Sequence, residues 1–265
     1  MDANRNRTAL VTGASGGIGL ELARCLAADG YRLIAVGRDR KRLQQVGDEF
    51  RRRYEVSVRC ETADLADPSA VRRLWTDVRT AGDTVDVLVN NAGVGLYGAL
   101  DAQDPDALER MVQLNVVALT MLTRLALPDM RARRWGRILN VASVVAFQPG
   151  APWMAAYYAS KSYVLSFSKG LSRELAGSGV SVTALCPGPT DTSFDARSGA
   201  AGDLFYNRAP RMSAADVARA GYIGMMRRSL VVVPGLMTKL LALAGELPPR
   251  RIALEVNRWI WKPRA

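Results

Sequence analysis

The sequence predicts a doubly wound α/β fold, in which helices cover both faces of a parallel sheet within a single domain. Short apolar segments alternate with helical segments along most of the chain. These segments are too uniformly apolar for a sheet with one face in water, so both faces are expected to be covered. A length of 265 residues fits one domain. We expect residues 1–234 to form its body and residues 235–265 a C-terminal helical extension of the same domain.

The predicted elements follow one another from the N-terminus. Predicted strands cover Thr8–Thr12, Arg32–Val36, Val56–Cys60, Val85–Val89, Ile138–Val141, Val180–Leu185 and Leu230–Val233. Helices are predicted through Ala28, to about Tyr54, from Asp67-Pro68, from Asp104-Pro105 past Asn115, over Tyr157–Leu175 and from Ser213. Ligands bind such sheets at the carboxyl ends of the strands, so the residues there are the first candidates for a site.

Charge and histidine content exclude several classes of function. The formal net charge is +11, and arginines cluster within residues 38–53 and 131–137. No nucleic-acid-binding signature accompanies them, and Asp48 and Glu49 interrupt the first cluster. A solvated helix face therefore explains them better than a nucleic-acid partner. The sequence contains no histidine, so proton transfer falls to a carboxylate, cysteine, lysine or tyrosine.

The cysteines and the N-terminus predict a cytoplasmic protein. Cys25, Cys60 and Cys186 are odd in number, far apart and without metal-ligand spacing. The first seven residues lack the apolar segment of a secretory signal, and about 18 uninterrupted apolar residues occur nowhere. We expect free thiols in a reducing compartment and no metal site.

A glycine-rich turn, TGASGGIG at residues 12–19, follows the first strand. Glycines at positions 13, 17 and 19 would let the backbone approach a pyrophosphate, which the N-terminus of the next helix would hold. The same residues match Gly-x-Ser-x-Gly, with Ser15 in the position of a hydrolase nucleophile. That mechanism requires a histidine, so the sequence excludes it.

The end of the second strand favours NADP over NAD. A site for NAD would place an acidic residue here to bind the adenosine ribose, whereas this chain has Gly37 and Arg38. A guanidinium suits a 2′-phosphate, and an ordinary surface charge is the less favoured alternative for Arg38. Asp39 is expected to cap the next helix.

A tyrosine and a lysine share one face of a later predicted helix. Tyr157 precedes Lys161 by four residues and Tyr158 precedes it by three, so both tyrosines are its neighbours. A cation beside a phenol favours the phenolate. Spacing alone does not decide between the two tyrosines.

Six motifs together resemble the short-chain dehydrogenase/reductase family in order and spacing. They are TGASGGIG, NNAG at residues 90–93, Asn115, Ser143, Tyr157 with Lys161, and Pro187-Gly188. The resemblance covers about residues 8–192. It implies a Rossmann-type fold and an NADP-preferring enzyme that interconverts a carbonyl and an alcohol, acting on a small molecule as a homo-oligomer.

The resemblance also implies the site residues. Tyr157 would be the acid/base, Lys161 would bind the nicotinamide ribose and tune the tyrosine, Ser143 would bind the substrate oxygen, and Asn115 would hold a water in the proton path. The residues implied to bind NADP(H) are Gly13, Ser15, Gly17, Ile18, Gly19, Arg38, Asp64, Leu65, Asn91, Ala92, Gly93, Tyr157, Lys161, Pro187, Gly188, Thr190 and Thr192. Within this set Asp64 would contact adenine and Thr192 the nicotinamide carboxamide.

Three hypotheses about function remain open. The first is an NADPH-dependent reductase of a bulky apolar ketone or aldehyde. The second is a reductase of 3-oxoacyl thioesters on an acidic carrier protein, for which Arg134 and Arg173 would be docking residues. The third is a protein that binds NADPH without turnover. Residues expected to line the substrate pocket are Val94, Leu96, Val145, Phe147, Trp153, Phe194 and Phe205.

The C-terminal extension carries an apolar stripe. It comprises Leu236, Leu240, Leu241, Leu243 and Leu247, and Trp259 and Trp261 follow beside basic residues. An interfacial membrane contact uses such residues, but amphipathic helices more commonly pack within proteins. We expect the stripe to be buried over the active site or between subunits, with peripheral membrane contact as the less favoured alternative.

Overall fold

A seven-stranded parallel sheet forms the centre of the computed structural model, which describes residues 4–194, 198–199, 209–246 and 249–262. The strand order is β3-β2-β1-β4-β5-β6-β9, and every neighbouring pair is parallel. The strands are β1 Thr8–Thr12, β2 Arg32–Gly37, β3 Val58–Thr62, β4 Val85–Asn90, β5 Gly136–Val141, β6 Val180–Leu185 and β9 Val231–Val232. Short strands β7 (Thr190–Asp191) and β8 (Met212–Ser213) pair separately.

Helices cover both faces of this sheet. They are α1 Gly17–Ala28, α2 Arg40–Tyr54, α3 Pro68–Thr80, α4 Pro105–Val112, α5 Leu119–Ala132, α6 Ala155–Glu174, α7 Ala214–Met226, α8 Leu236–Glu246 and α9 Arg250–Trp261. One apolar core lies between the sheet and α1, α2 and α7, and a second between the sheet and α3, α5 and α6. This confirms the predicted doubly wound fold in one domain.

The predicted helix starts are confirmed by their caps. The side chains of Asp39, Asp67, Asp104 and Ser213 each accept a hydrogen bond from a backbone N–H in the first turn of the following helix. These bonds satisfy donors that have no partner within the helix. Asp39 therefore belongs to α2, as expected.

Five strands differ from their predicted bounds. Three of them are only one or two residues longer: β2 ends at Gly37, β4 ends at Asn90 and β5 begins at Gly136. Strand β3 begins at Val58 rather than Val56 because Glu55 adopts a left-handed φ of 55° that ends α2, and the next residues return the chain to the sheet. Strand β9 keeps only Val231 and Val232, since it lies at the sheet edge and pairs with β6 at two positions.

The continuous helical stretch from residue 105 to 132 joins α4, a π-helix (Gln113–Ala118) and α5. The stretch is long enough to cross a membrane and contains an 18-residue window with a mean hydropathy of 1.4, although polar residues interrupt it throughout. However, α5 packs against β4 and β5, and the stretch carries Asn115 into the interior. We therefore assign it as a core helix.

The C-terminal extension packs on the body through small and polar residues, so its apolar stripe does not cover the active site, and burial of the stripe between subunits stays a prediction. Leu236, Leu240, Leu241 and Leu243 are exposed, whereas Thr238, Ala242 and Gly245 are buried. Small residues let α8 approach closely: a Cβ on Gly245 would lie 2.6 Å from the backbone oxygen of Phe147. Leu247 lies outside the described residues.

Candidate active site

A cleft of about 420 Å³ opens at the carboxyl ends of the central strands. It collects most of the residues implied by the family resemblance: Gly13, Ser15, Gly17, Ile18, Arg38, Asp64, Leu65, Asn91, Ala92, Gly93, Ser143, Tyr157, Lys161, Pro187, Gly188, Thr190 and Thr192. Gly19 and Asn115 are not among the described residues that line it. Both lie directly behind its wall, where they shape the residues that do.

The glycine-rich turn after β1 leaves no room for a side chain at Gly13 or Gly19. Gly13 has a φ of 67°, and a Cβ there would lie 2.6 Å from Nδ2 of Asn91. A Cβ on Gly19 would overlap the carbonyl oxygen of Gly13. The turn therefore stays narrow, and the N-terminus of α1 faces the cleft with its free N–H groups. This arrangement suits a pyrophosphate.

The loops after β1 and β4 are held together by Thr12. Its hydroxyl oxygen accepts hydrogen bonds from the backbone N–H groups of Asn91 (2.9 Å) and Ala92 (3.0 Å). The Asn91 side-chain amide donates back to the Thr12 carbonyl at 3.0 Å. These bonds fix the floor of the cleft at the point where the strand order reverses between β1 and β4.

Tyr157 and Lys161 lie one turn apart on α6, in the wall of the cleft. Lys161 is only 5% exposed, and its Nζ donates to the carbonyl of Val141 at 3.0 Å. The ammonium is 5.9 Å from the centroid of the Tyr157 ring. Burial lowers the pKa of Lys161 to about 8. The cation is thus held beside the phenol.

Ser143 lies two residues after the end of β5 and lines the same cleft. Its hydroxyl oxygen accepts a hydrogen bond from the backbone N–H of Val145 at 3.4 Å, which caps the short 3₁₀ helix Val144–Phe147. Cys186 is close by but buried, and burial raises the pKa of its thiol to about 12. The neighbouring thiol is therefore neutral near physiological pH.

Asn115 lies in the π-helix and ties it to the loop after β4. Its Oδ1 accepts from the Val94 N–H at 3.0 Å, while its Nδ2 donates to the Val94 carbonyl at 2.9 Å and to Ser160 Oγ at 3.1 Å. A Cβ on Gly93 would lie 3.2 Å from Asn115 Oδ1 and 3.4 Å from Lys161 Nζ. The amide and the ammonium thus both lie on the side of Gly93 that a side chain would occupy. π-helical turns of this kind are frequent at functional sites.

The two adjacent tyrosines have different environments. Tyr157 lines the cleft, whereas Tyr158 is not among the described residues that do. The phenol oxygen of Tyr158 accepts a hydrogen bond from Nε1 of Trp261 at 2.8 Å, and burial raises its pKa to about 12. This geometry favours Tyr157 as the group that meets a ligand.

The end of the cleft beside β2 and α2 carries two arginines. Arg38 and Arg42 both line it, and Arg42, at the start of α2, was missed by sequence reasoning. Its spacing of four residues from Arg38 is the sequence feature that could have indicated it. The side chain of Asp39 accepts from the backbone N–H of Arg42 at 2.9 Å. The carboxylate that could compete for ribose hydroxyls is therefore used as a helix cap.

Asp64, expected to contact adenine, already has two protein partners. It accepts from Nη2 of Arg110 at 2.6 Å and from the Ala66 N–H at 3.1 Å. Burial alone would raise the pKa of this carboxyl, but the hydrogen bonds outweigh it and hold the pKa below its usual value. An ionised Asp64 with fixed geometry remains at the cleft wall.

The other end of the cleft is apolar. Val94, Val145 and Phe194 line it as predicted, together with Met154 and Trp261, which were not predicted. Leu96, Phe147 and Trp153 pack in the adjoining apolar cluster, and are not among the described lining residues. Phe205 lies outside the described residues.

The last turn of α9 brings Trp261 into this wall. The Tyr97 hydroxyl donates to the Trp261 carbonyl at 2.7 Å, and the Asn257 side-chain amide donates to the Gly150 carbonyl at 2.7 Å. These contacts anchor α9 beside the apolar end of the cleft.

Comparison with known proteins agrees with this geometry. A family model described as short chain dehydrogenase matches residues 7–202. The chain belongs to the short-chain dehydrogenase family. It is thus an oxidoreductase of a family whose members use a nicotinamide cofactor.

Individual relatives of this short-chain dehydrogenase differ in substrate. A short-chain dehydrogenase from Sphingobium yanoikuyae in complex with NADPH is 35% identical, with a TM-score of 0.80 over 90% of this chain and 92% of that one. The bulky-bulky ketone specific alcohol dehydrogenase from Comamonas testosteroni is 30% identical, with a TM-score of 0.75 over 92% and 95%. A 3-oxoacyl acyl-carrier-protein reductase from Aquifex aeolicus is 31% identical over 72% of this chain and 77% of its own length.

Proposed function

We propose that this short-chain dehydrogenase is an NADP(H)-dependent enzyme that interconverts a bulky apolar ketone or aldehyde and its alcohol, with Tyr157 as the proton donor. The observation that carries the proposal is the grouping of Ser143, Tyr157 and Lys161 between the apolar end of the cleft and its glycine-lined end. The cytoplasm remains the predicted compartment, since Cys25, Cys60 and Cys186 are free thiols.

The described residues fit a dinucleotide. The narrow turn at Gly13 and the N-terminus of α1 suit the pyrophosphate, and Arg38 and Arg42 suit a phosphate on the adenosine ribose. Thr192 and Gly188 line the same cleft and would hold the nicotinamide end. When bound, NADPH would supply the hydride that reduces a carbonyl carbon. The relative from Sphingobium yanoikuyae, described in complex with NADPH, supports this choice of cofactor.

The proton and the developing charge are handled by the chain itself. The Tyr157 phenol would protonate the carbonyl oxygen, and the Ser143 hydroxyl would donate a second hydrogen bond to it. Donors fixed in advance at an oxygen where negative charge grows lower the barrier. The buried ammonium of Lys161 would stabilise the phenolate left on Tyr157.

Reprotonation of Tyr157 requires a route from solvent. We assign this route to the region beside Gly93, where the absence of a side chain leaves space near both Lys161 and Asn115. The side-chain amide of Asn115 is already bonded to Val94 and Ser160. Its part in holding a water would therefore fall largely to the π-helical backbone around it.

The apolar end of the cleft supports a bulky substrate. Phe194 packs against Tyr157 with ring centroids 5.6 Å apart, and Val145, Met154 and Trp261 complete the wall. The relative from Comamonas testosteroni, described as a bulky-bulky ketone specific alcohol dehydrogenase, supports this substrate class. Such a substrate would bury its apolar groups here and leave only its oxygen at Ser143 and Tyr157.

A thioester on a carrier protein is the second candidate. Arg134 and Arg173 are both exposed, as docking to an acidic partner requires. Arg134 has a φ of 52° and its Nη2 lies 3.3 Å from the carbonyl of Gly177, just after α6. The relative from Aquifex aeolicus favours this substrate class. Salt-sensitive turnover of an acyl-carrier substrate would support it over a free ketone.

A homo-oligomer is proposed as the functional assembly. Val117 in the π-helix and Tyr163 on α6 are exposed apolar residues, and Tyr163 stacks on Phe167 at 5.8 Å. Light scattering coupled to gel filtration would give the mass of the assembly. Tyr163→Glu should reduce that mass to the mass of a monomer.

The deciding experiment is NADPH oxidation followed at its absorbance maximum with a panel of ketones, aldehydes and acyl-carrier thioesters, beside NADH. Turnover of bulky ketones supports the first function, and turnover only of thioesters supports the second. Tight NADPH binding without oxidation across the panel would leave only a cofactor-binding protein.

A further inference from the structure

Helix α8 exposes its apolar side to solvent. Leu236, Leu240 and Leu243 follow one another at helical spacing and are 76%, 52% and 56% exposed. Met237 and Leu241 widen this stripe. The opposite side of the helix, which carries Thr238, Ala242 and Gly245, packs on the body. Helix α8 therefore packs on the body through its small residues, and its leucines are exposed to solvent.

Helix α9 has the same arrangement. Ile252, Val256 and Trp259 are spaced by four and three residues and are all exposed, with Ile252 at 62% and Trp259 at 56%. Its buried side carries Asn257 and Trp261, which contact Gly150 and Tyr158. The two helices contact each other. Together the exposed stripes form what we call the tail surface, defined by Leu236, Met237, Leu240, Leu241, Leu243, Ile252, Val256 and Trp259.

The charges around the tail surface are mostly basic. Residues 235–265 contain six lysines or arginines against two glutamates. Lys239, Arg251, Arg258 and Lys262 are exposed on the two helices, and Arg258 pairs only loosely with Glu255, at 3.5 Å. Exposed leucines, isoleucine and tryptophan beside lysine and arginine are the combination with which a helix binds at the interface of an anionic bilayer.

We propose that the tail surface docks on an anionic lipid bilayer, with α8 and α9 lying in the interface. A second copy of this chain fits the surface less well, since symmetric pairing would place Arg251 and Arg258 against basic residues of an equally basic partner. On a bilayer the same side chains meet lipid phosphates. The whole chain, at a net charge of +11, is attracted to the same surface.

Docking would also position the apolar end of the cleft relative to the bilayer. Trp261 lies on the side of α9 opposite to Trp259, and it lines the apolar end of the cleft. A docked α9 would thus lie between lipid and that end. Binding itself is independent of turnover, since the residues that define the tail surface are not among the described lining residues of the cleft.

The test is flotation of the full-length protein with vesicles of phosphatidylcholine alone or with phosphatidylglycerol. We expect co-flotation only with the anionic vesicles, and a loss of binding of at least about tenfold in L240S/L243S and in I252S/W259S. These four side chains are exposed, so the fold should persist, as circular dichroism and turnover of a water-soluble carbonyl would verify. The matched control is L100S/I223S, which removes exposed apolar residues from the body.

Charge variants distinguish docking through the tail surface from the general electrostatic attraction of a basic protein to anionic lipid. R251E/R258E should lose more binding than R52E/R53E, which changes the net charge equally on α2. Equal losses in these two variants, or unchanged flotation of both apolar variants, would overturn the proposal. So would a wild-type dimer that L240S/L243S converts to a monomer while vesicles bind neither form.

Discussion

The indole Nε1 of Trp261 donates a hydrogen bond to the phenol oxygen of Tyr158 at 2.8 Å. This bond joins the C-terminal helix to the residue next to Tyr157, across 103 positions of sequence. The bond occupies the hydroxyl of Tyr158, whereas the adjacent Tyr157 lines the cleft. The pair therefore distinguishes two tyrosines that helical spacing alone leaves equivalent.

Tyr157→Phe should reduce kcat by at least about a hundredfold, because it removes the proton donor. NADPH affinity, measured by fluorescence titration, should stay within a few fold of the wild type. Tyr158→Phe should keep most of the activity but lower the free energy of unfolding by about 1–3 kcal/mol, since it leaves the buried Trp261 N–H without its partner. The reverse pattern would assign the proton to Tyr158.

Arg38→Ala should weaken NADPH binding while leaving NADH binding nearly unchanged. Charge-assisted hydrogen bonds to a phosphate are worth about 1.5–3 kcal/mol, which corresponds to about a 10- to 150-fold change in the ratio of dissociation constants. Arg42→Ala should act in the same direction. Arg40→Ala is the matched control, since Arg40 is exposed on the same helix but is not among the described lining residues. Equal affinities for the two cofactors in the wild type would remove both arginines from the proposed site.

The reduction rate should fall as pH rises through about 8. Burial disfavours the charged form of Lys161 and lowers its pKa to about 8, so the ammonium is present below that pH and lost above it. Without the cation, the phenolate formed on Tyr157 is less stable. The ¹³Cε resonance of Lys161, identified by its absence in Lys161→Met, should titrate near the same pH. A lysine resonance that titrates only near 10.5 would contradict the assignment. Cys186 does not complicate the profile, because the pKa of its buried thiol is about 12.

Gly19→Ala should abolish tight NADPH binding, raising Kd by at least about tenfold, because its Cβ would overlap the Gly13 carbonyl and push the turn into the cleft. Gly170→Ala on α6 is the control, since a Cβ there meets nothing within 4 Å. That variant should be as active as the wild type and more stable, by about 0.5–1 kcal/mol. Unchanged cofactor affinity in Gly19→Ala would show that the turn does not carry the pyrophosphate.

Trp261→Ala should raise KM for a bulky ketone more than it lowers kcat, because it removes a wall of the substrate end and leaves Ser143 and Tyr157 in place. Loss of a buried indole also costs about 3–5 kcal/mol of stability, so the kinetics are measured well below the Tm. Two variants serve as controls. Trp261→Phe keeps most of the wall but loses the bond to Tyr158. Trp259→Ala truncates an exposed tryptophan on the same helix. A KM unchanged in Trp261→Ala would place the substrate elsewhere in the cleft.

Local chemistry alone was sufficient to predict much of this molecule. Uniformly apolar strands can only belong to a sheet buried on both faces, and Asp-Pro pairs begin helices because the carboxylate satisfies free N–H groups. The glycine turn was predictable for a related reason, since it follows a strand directly and a parallel sheet brings the carboxyl ends of its strands to one edge. The choice of Ser143, Tyr157 and Lys161 came instead from the resemblance to the short-chain dehydrogenase/reductase family, because helical spacing alone left two tyrosines equivalent.

Other features depended on contacts between residues far apart in sequence. The pattern of leucines on α8 predicted burial, but that helix packs through Thr238, Ala242 and Gly245, because only small residues allow the close approach to the loops at Gly188 and Phe147. Trp261 enters the cleft through its bonds to Tyr97 and Tyr158, and no periodicity within the tail reports those partners. The sequence by itself determined the fold class and the chemistry at the strand ends, since both follow from local preference and from the alternation of strands and helices. The tertiary structure decided which tyrosine lines the cleft and which side of the tail meets solvent, since both depend on how closely two distant surfaces can pack.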